Sequence, residues 1–353
     1  SNDRGGNPYT DVFRVDTSFF DWSRRYGNGN LFGPKLVGSL GLPRRADTEI
    51  DQRHMDIAAA LQEAFENAVV RLARKLAAET GEANLCLAGG CALNCLANER
   101  LARETPFKHV FVFPAATDAG AGFGAAVYEA VRRGSPRTVL SSALLGPRWS
   151  DDVCRDALQR AGLTASAPPD LSEATARELA AGRVVGWFQG RMEFGPRALG
   201  GRSILGDPRR ADMKQLVNAR VKHREDFRPY APACSAEDAA RFFDIRHPSP
   251  WMLFAVPVRS EWRARLPAVT HADGTARLQT VAREEQSLFH GLLKSFERLT
   301  GVPVLLNTSF NVRGQPVVCT PDDAVQCFVD THMDALALGP YLVAKPTRPT
   351  RSS

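Results

Sequence analysis

The longest regular pattern of apolar positions lies in residues 51–80. Apolar side chains recur there every three or four residues, at Ile57, Leu61, Phe65, Val69, Leu72 and Leu76. This spacing places them on one face of a helix, so the sequence predicts an amphipathic helix over residues 51–80. Asp47 or Thr48 offers a side chain that can cap its first turn.

Shorter apolar runs predict buried strands, and several are followed by polar or glycine-rich residues. The runs are residues 85–87, 110–113, 184–188, 302–306 and 335–343. Among the helices between them, residues 286–300 predict a second long one. Its predicted inward side chains are Leu288, Leu292, Phe296 and Leu299. Residues 270–281 predict a hairpin that turns at Asp273-Gly274. Strands and helices mixed in this way predict an α/β (α+β) architecture.

The stretch from Gly186 to Arg228 carries the strongest candidate chemistry. A glycine-punctuated loop follows the apolar run 184–188, and a second basic cluster follows a polar helical stretch. The basic side chains of interest are Arg191, Arg197, Arg202, Lys222, Arg224 and Arg228. Glycines let a backbone present N–H groups to a ligand, and arginine forks match phosphate or carboxylate oxygens. Exposure to solvent explains any single arginine equally well, but the cluster predicts a site for a compact anion such as a phosphoryl group.

Composition narrows the class of protein. The chain has 353 residues, 44% of them hydrophobic, which is enough for two globular domains with sizeable cores. It contains no run of about 18 apolar residues, so we expect no membrane span. A formal net charge of +6 suits nucleic acid or an anionic metabolite. Because the basic residues gather around one glycine-rich loop without interleaved aromatics, a small phosphorylated ligand is favoured over a polynucleotide.

Seven cysteines are scattered along the chain without a C-x-x-C pair. Their spacing favours small buried thiols over zinc ligands or disulfides. The odd number of thiols, and a polar N-terminus without the apolar core of a signal peptide, predict a cytoplasmic, reducing location.

Three shorter motifs each allow a structural and a functional interpretation. Gly89-Gly90 turns the chain between an apolar run and a helical stretch, which fits tight packing or contact with a phosphate or ribose. Asp118 follows a predicted strand and can cap the next helix or hold a metal. The segment from Asn307 to Asn311 ends a strand with short polar side chains, which form local hydrogen bonds or bind phosphate oxygens.

Six strings in order, spread over residues 84–311, resemble those of a known family. The strings are LAGGCALN, FPAATDAGAGFGAA, MEFGPRALGGRSILGDPR, VKHREDFRPYAP, ARLQTV and LLNTSFN. The family is the carbamoyltransferases typified by nodulation-factor and antibiotic O-carbamoyltransferases (the NodU/CmcH group). One string alone would be weak, but six in order are highly specific.

The resemblance implies two catalytic domains and a relay between them. One domain has the actin/hexokinase-like ATPase superfold, and the other is YrdC-like. The YrdC-like domain uses carbamoyl phosphate and ATP to form carbamoyl adenylate. The other domain transfers the carbamoyl group to a hydroxyl of a small molecule, with help from a divalent metal (Fe or Mg). We therefore expect a carbamoyltransferase whose acceptor is an antibiotic, another natural product or a molecule like a nodulation factor.

The resemblance assigns functional roles to individual residues of this chain. The positions that match residues gripping carbamoyl phosphate and the adenylate are Arg197, Lys222, Arg228, Arg277 and Ser309. Asn307 and Asn311 are further candidates for cofactor binding. The positions that match the nucleotide-binding turn of the first domain are Gly89, Gly90 and Asn94. Asp118 matches an aspartate that binds the metal. In these roles the cations would neutralise the carbamoyl phosphate dianion and stabilise charge on the transferring group.

One departure from the family is the lack of an H-x-x-x-H metal pair. The histidines are His54, His109, His223, His247, His271, His290 and His332, and no two are four residues apart. In the family this pair belongs to an N-terminal lobe of the first domain. We therefore expect the chain to be the C-terminal part of such an enzyme, with that lobe as a partner in the same or a separate chain.

We predict four segments along the chain. Residues 1–148 form the second lobe of the ATPase-like domain, 149–170 a linker, 171–345 the YrdC-like domain and 346–353 a tail. Two alternative functions remain open: a YrdC-like protein related to tRNA modification, and a binding-only subunit without full catalysis. The string EFGPRALGGRS favours the O-carbamoyltransferases over tRNA modification, so we expect neither a nucleic-acid nor a membrane partner.

Overall fold

A computed structural model describes residues 12–21, 31–45, 47–137 and 139–345, so the predicted tail lies outside the described residues. Contacts within the chain divide it into two compact units. The first consists of Ser1–Leu85 and Glu99–Val110, and the second of Cys86–Asn98 and Phe111–Ser353. The domain boundaries expected from the sequence stay a prediction.

The first unit is largely helical. It holds α1 (Pro34–Leu40) and α2 (Gln52–Thr80), and the chain then passes between the units through β1 (Asn84–Leu87), α3 (Cys95–Glu104) and β2 (His109–Val112). Helix α2 confirms the predicted long helix.

The cap of α2 and its buried face differ from the prediction. Asp51 caps the helix, because its side chain accepts from the His54 N–H while the His54 ring accepts from the Asp51 N–H. This reciprocal pair satisfies the first turn without Asp47 or Thr48. The buried side chains of α2 are Val70, Ala73 and Ala77, which lie one position after Val69, Leu72 and Leu76. The buried stripe is therefore rotated by about one residue, and Leu61 is exposed.

The second unit alternates helices and strands. Its helices are α4 (Ala121–Arg132), α5 (Asp151–Arg160), α6 (Leu171–Ala180), α7 (Met213–Val217), α8 (Ala239–Phe242), α9 (Ser260–Arg263), α10 (Ser287–Thr300) and α11 (Pro321–Asp330). Its strands are β3 (Val185–Phe188), β4 (Arg202–Gly206), β5 (Ala231–Ser235), β6 (Ala255–Pro257), β7 (Thr275–Arg277), β8 (Gln279–Val281), β9 (Val304–Ser309), β10 (Ala335–Leu338) and β11 (Tyr341–Ala344).

A seven-stranded sheet forms the centre of the second unit, in the order β11-β10-β3-β4-β9-β5-β8. The pairs β10–β3 and β5–β8 are parallel, and the other pairs are antiparallel. Helices α6 and α10 cover one face, where Trp187 of β3 and Phe289 of α10 belong to the same buried cluster. The mixed sheet with its helices confirms the predicted α/β (α+β) class. No helix in the described ranges combines the length and the apolar composition needed to cross a bilayer.

Three local predictions for the second unit need correction. The single strand expected at 335–343 is two antiparallel strands, because the chain turns at Gly339, which has a positive φ of 54°. The turn at Asp273-Gly274 is correct, but β7 pairs with β6, and β8 pairs with β5 in parallel. In α10 the expected inward residues Leu288 and Leu299 are 40% and 48% exposed, so the buried stripe is narrower than the apolar pattern.

Candidate active site

The glycine-rich loop between β3 and β4 already holds an anion, which is its own Glu193 carboxylate. Oε1 of this buried side chain accepts from the backbone N–H of Leu199 at 2.7 Å, of Gly201 at 2.7 Å and of Arg202 at 3.1 Å. Gly200 has a φ of +99°, which suits glycine at this bend. These three N–H groups are therefore already bonded within the loop. The expectation that the loop backbone binds a phosphoryl group is wrong for these three groups.

The three arginines of this loop have different surroundings. Arg202 is fully buried, stacks on the Phe188 ring at 3.6 Å, and lacks a partner only at Nε. Its other guanidinium nitrogens donate to the carbonyls of Gln189, Gly190, Gly201 and Pro147. Arg191 is exposed and donates to the Gly146 carbonyl at 3.1 Å. Of the two buried or half-buried arginines, Arg197 is therefore the one whose guanidinium is not used to hold the loop.

Arg197 belongs to a cluster with Arg277 and Arg224, which we call the cation cluster. The Arg277 guanidinium donates no hydrogen bond to any described residue, and its buried Nε lacks a partner. Burial and the charge of Arg197 lower the pKa of Arg277 to about 10. The buried Nε atoms of Arg197 and Arg224 also lack partners. Among the described residues, the Arg197 guanidinium donates one hydrogen bond, to the Leu93 carbonyl at 3.5 Å.

The charges acting on Arg277 are those of Arg197, Arg224 and the Cys95 thiol, and none is a carboxylate. An unpaired buried cation raises the free energy of the folded chain, because it loses water without gaining a counter-ion. The cation cluster is therefore arranged for an anionic ligand. An arginine fork would match the oxygens of a phosphate group.

Tyr230 and Cys95 are site residues that the sequence prediction did not name, whereas Arg224 was named only as a member of the basic cluster. The Arg224 guanidinium stacks on the Tyr230 ring at 4.5 Å, and the buried Tyr230 hydroxyl has no partner. Burial raises the pKa of Cys95, while Arg277 and Arg197 oppose that rise. Arg224 had a sequence signal in the string VKHRE, whereas Tyr230 carried none beyond lying within a matching string, and Cys95 directly follows the string LAGGCALN.

His271 also lies beside Arg277 and was missed. Its Nδ1 is 3.2 Å from the Thr275 hydroxyl, which donates to Asp273 at 2.7 Å. Because that hydroxyl has one proton to give, Nδ1 of His271 donates to it and the neutral ring keeps a lone pair on Nε2. Burial, and Arg277 with it, lower the pKa of His271. Nε2 is buried and makes no well-aligned hydrogen bond with a described residue, and the Tyr230 carbonyl opposes the fall in the pKa of His271.

Lys222, Ser309 and Asn311 form a second group. Helix α7 continues as a π-helical turn over Asn218–Lys222, and His223 then takes a φ of +45°, which places Lys222 against the end of β9. Lys222 Nζ donates to the Ser309 hydroxyl at 3.0 Å and to Asn311 Oδ1 at 2.7 Å. Burial lowers the pKa of Lys222 to about 7. The charge of Arg224 lowers the pKa of both Lys222 and Arg277, so this second group lies within electrostatic range of the cation cluster.

The other predicted catalytic and amide residues lie in different settings. Arg228 is exposed and forms an ion pair with Glu225 at 3.0 Å, apart from the charges acting on Arg277. Asn307 is buried and donates to the Ala198 carbonyl at 3.2 Å and to Gln279 Oε1 at 2.9 Å.

Gly89 and Gly90, in the turn predicted to bind a nucleotide, are exposed. Gly89 has a φ of +92°, and a side chain at Gly90 would meet open space. Asn94 Oδ1 accepts from the Ala97 N–H at 3.1 Å, so this side chain caps α3. The carbonyl of Leu93 in the same turn faces Arg197. A nucleotide role for these residues stays a prediction.

Asp118 is exposed in a short turn before α4. Within the described part of the chain, no three or more His, Cys, Asp or Glu side chains are grouped to hold a metal ion. The role of Asp118 as a metal ligand stays a prediction, and no step below depends on a metal. All seven cysteines are free thiols, as predicted, although Cys86 and Cys91 are exposed.

A cavity of about 880 Å³ lies beside the glycine-rich loop. Trp187, Gln189, Arg191 and Gln286 are among its lining residues. It contains none of the predicted catalytic residues, so its size alone does not identify the reacting centre.

Comparisons with known proteins agree with the strings found in the sequence. A family model described as "Carbamoyltransferase C-terminus" matches residues 176–345, and one described as "Carbamoyltransferase N-terminus" matches residues 8–127. The cation cluster draws Arg197, Arg224 and Arg277 from the first of these ranges.

Similar proteins extend beyond this chain in length. The chain is 44% identical to the nodulation protein NolNO of Sinorhizobium fredii, over 96% of the chain and 51% of that protein. It is 42% identical to the nodulation protein NolO of Bradyrhizobium diazoefficiens, over 96% of the chain and 64% of that protein. For an uncharacterised protein of Synechocystis the identity is 43%, over 96% of the chain and 60% of that protein. The chain thus spans between half and two thirds of the length of these relatives.

Proposed function

The chain belongs to the carbamoyltransferase family, and from this premise we propose that it binds carbamoyl phosphate at the cation cluster and uses ATP to form carbamoyl adenylate. The observation that carries the proposal is the buried guanidinium of Arg277, which lies beside Arg197 and Arg224 without a hydrogen bond or a carboxylate. The phosphate dianion of carbamoyl phosphate would supply a negative charge beside these arginines and oxygen acceptors for their N–H groups.

The proposed reaction balances as follows. Carbamoyl phosphate, ATP and one water give carbamoyl adenylate, pyrophosphate and inorganic phosphate. Water attacks the carbamoyl carbon, the bond from that carbon to the phosphate oxygen breaks, and carbamate and inorganic phosphate form. A carbamate oxygen then attacks the α-phosphorus of ATP and pyrophosphate leaves. Arg277 and Arg197 hold the phosphate and stabilise the charge that develops on its oxygen as the carbon–oxygen bond breaks. Ser309 lies at the neighbouring strand end, where its hydroxyl accepts from Lys222 Nζ and donates to Asn311 Oδ1, and we propose that the hydroxyl turns its proton to the ligand on binding.

Transfer of the carbamoyl group to a small-molecule hydroxyl is proposed to need more than the described residues. Helix α4 leaves Val127 43% exposed and Tyr128 72% exposed, which suits a surface that another lobe covers. The relatives NolNO and NolO are longer than this chain, and we propose that a lobe of this kind completes the transfer domain. Residues 171–345 are proposed as the YrdC-like, adenylate-forming part.

Exchange of labelled pyrophosphate into ATP tests the adenylate step. We expect exchange that depends on carbamoyl phosphate, is lost in Arg197→Ala and persists in Arg191→Ala, which removes an exposed arginine of the same loop. Exchange that ignores carbamoyl phosphate would refute the proposal. Tight binding of carbamoyl phosphate with no exchange would support a binding-only subunit instead.

A further inference from the structure

The amide of Asn307 has one polar atom that the described protein leaves unsatisfied. Its Nδ2 donates to the Ala198 carbonyl at 3.2 Å and to Gln279 Oε1 at 2.9 Å. Its Oδ1 is buried and accepts from no described donor. The residue is only 1% exposed, so bulk solvent does not supply that donor.

The neighbours of Asn307 fix the direction of its amide. Gln279 Nε2 donates to the Leu199 carbonyl at 2.8 Å, so Gln279 Oε1 faces Asn307. Turning the Asn307 amide by half a rotation would set its oxygen against two acceptors, the Ala198 carbonyl and Gln279 Oε1. Oδ1 is therefore a fixed acceptor in need of an N–H or O–H group.

The two residues that hold this amide adjoin members of the cation cluster along the chain. Ala198 directly follows Arg197 along the chain. Gln279 begins β8, two residues after Arg277. The arginines can only donate, whereas Asn307 Oδ1 can only accept. A ligand that satisfies both must carry an anionic group and, close to it, a hydrogen-bond donor.

We propose that Asn307 Oδ1 accepts a hydrogen bond from the carbamoyl NH₂ group and so selects carbamoyl phosphate over acyl phosphates that lack it. This inference rests on the proposed function, since it takes the phosphate to lie on the arginines. Acetyl phosphate replaces the NH₂ group by a methyl group of similar size. It would leave Oδ1 buried without a donor, and sites built to bind an N–H reject such analogues strongly.

Calorimetric titration of the full chain with carbamoyl phosphate, acetyl phosphate and inorganic phosphate tests the inference. We expect the wild-type chain to bind carbamoyl phosphate about 100-fold or more tightly than acetyl phosphate. In Asn307→Leu, and in the smaller Asn307→Ser, the two acyl phosphates should bind within about 3-fold of each other. Both variants should retain binding of inorganic phosphate, which reports an intact cation cluster.

The outcomes separate this inference from the function on which it rests. Equal wild-type affinity for carbamoyl and acetyl phosphate would overturn the inference and leave the cation cluster as a phosphate site. Parallel loss of all three ligands in both Asn307 variants would also overturn it, because the amide would then act only on the fold. A wild-type chain that binds none of the three overturns the proposed function as well.

Discussion

The corner around Glu193 and Arg202 and the cation cluster around Arg277 are both buried and charged, but they differ in how the charge is compensated. In the corner, Glu193 accepts three backbone N–H groups and Arg202 donates to four carbonyls. In the cluster, Arg277 donates to nothing in the described chain, and its neighbours are two further arginines and the Cys95 thiol, without a carboxylate. The corner is complete without a ligand, and the cluster is not.

This difference teaches that a basic, glycine-rich sequence does not by itself locate the ligand. The corner uses its charges to fix the loop, because each buried donor has an acceptor. In the cluster, Arg197 and Arg224 each donate one long hydrogen bond to a carbonyl, and the Arg277 guanidinium donates none to a described residue. The remaining N–H groups can therefore form new hydrogen bonds with a bound anion. Four consequences follow, and they are ordered here by the size of the expected effect.

Replacing each buried arginine by methionine should change stability in different directions. Arg202→Met removes the side-chain donor from four carbonyls, of which those of Gly201 and Pro147 keep a backbone N–H. The two carbonyls left without a donor should lower the free energy of unfolding by about 3–5 kcal/mol. Arg277→Met removes a buried charge that has no counter-ion, so the ligand-free chain should be at least as stable as wild type. Urea denaturation of both variants measures this. Equal destabilisation by the two substitutions would contradict the claim that Arg202 is compensated by the protein and Arg277 is not.

Removing the internal anion should open the corner. Glu193→Ala strips the acceptor from three buried N–H groups, and we expect a loss of about 2–3 kcal/mol in the free energy of unfolding. Glu193→Gln keeps one acceptor oxygen and should lose less. Urea denaturation of the two variants gives the comparison. An unchanged free energy of unfolding in Glu193→Ala would mean that these three hydrogen bonds do not stabilise the loop.

Much of this organisation was visible in the sequence, and the missing part has a physical cause. The mixed architecture, helix α2 and the place of Arg197 and Arg277 were predicted from periodicity and the matching strings. The hydrogen bonds from the loop backbone to Glu193 were not predicted. A sequence shows which residues can donate or accept, but it does not show which donor bonds to which acceptor. His271 was missed for the same reason, since the hydrogen bonding of its ring depends on the contacts of Thr275 and Asp273.

The pH dependence of binding should report Lys222. Burial lowers its pKa to about 7, so the ligand-free side chain is charged below that pH and increasingly neutral above it. A bound dianion favours the ammonium form, so affinity for carbamoyl phosphate should fall up to about tenfold per pH unit above pH 7. Titrations from about pH 6 to about pH 9 should show this decline in wild type and not in Lys222→Met. An identical profile in the variant would exclude Lys222 as its source.

The smallest effect is expected at Arg228, which the family resemblance placed among the catalytic residues. Its guanidinium is exposed and paired with Glu225, so Arg228→Ala should change the free energy of unfolding by less than about 1 kcal/mol. If the cation cluster suffices for binding, the affinity for carbamoyl phosphate should change by only a few fold as well. A loss as large as that of Arg197→Ala would show that the loop around Arg228 closes over the ligand.

Titration of carbamoyl phosphate into wild type, Arg277→Met and Arg191→Met tests the central claim most directly. The two variants remove one buried and one exposed arginine with the same replacement. We expect Arg277→Met to weaken binding by about 100-fold or more, which corresponds to the loss of a buried charged partner, and Arg191→Met to bind as wild type does. Binding by Arg277→Met at wild-type strength would contradict the assignment of the cation cluster as the carbamoyl phosphate site.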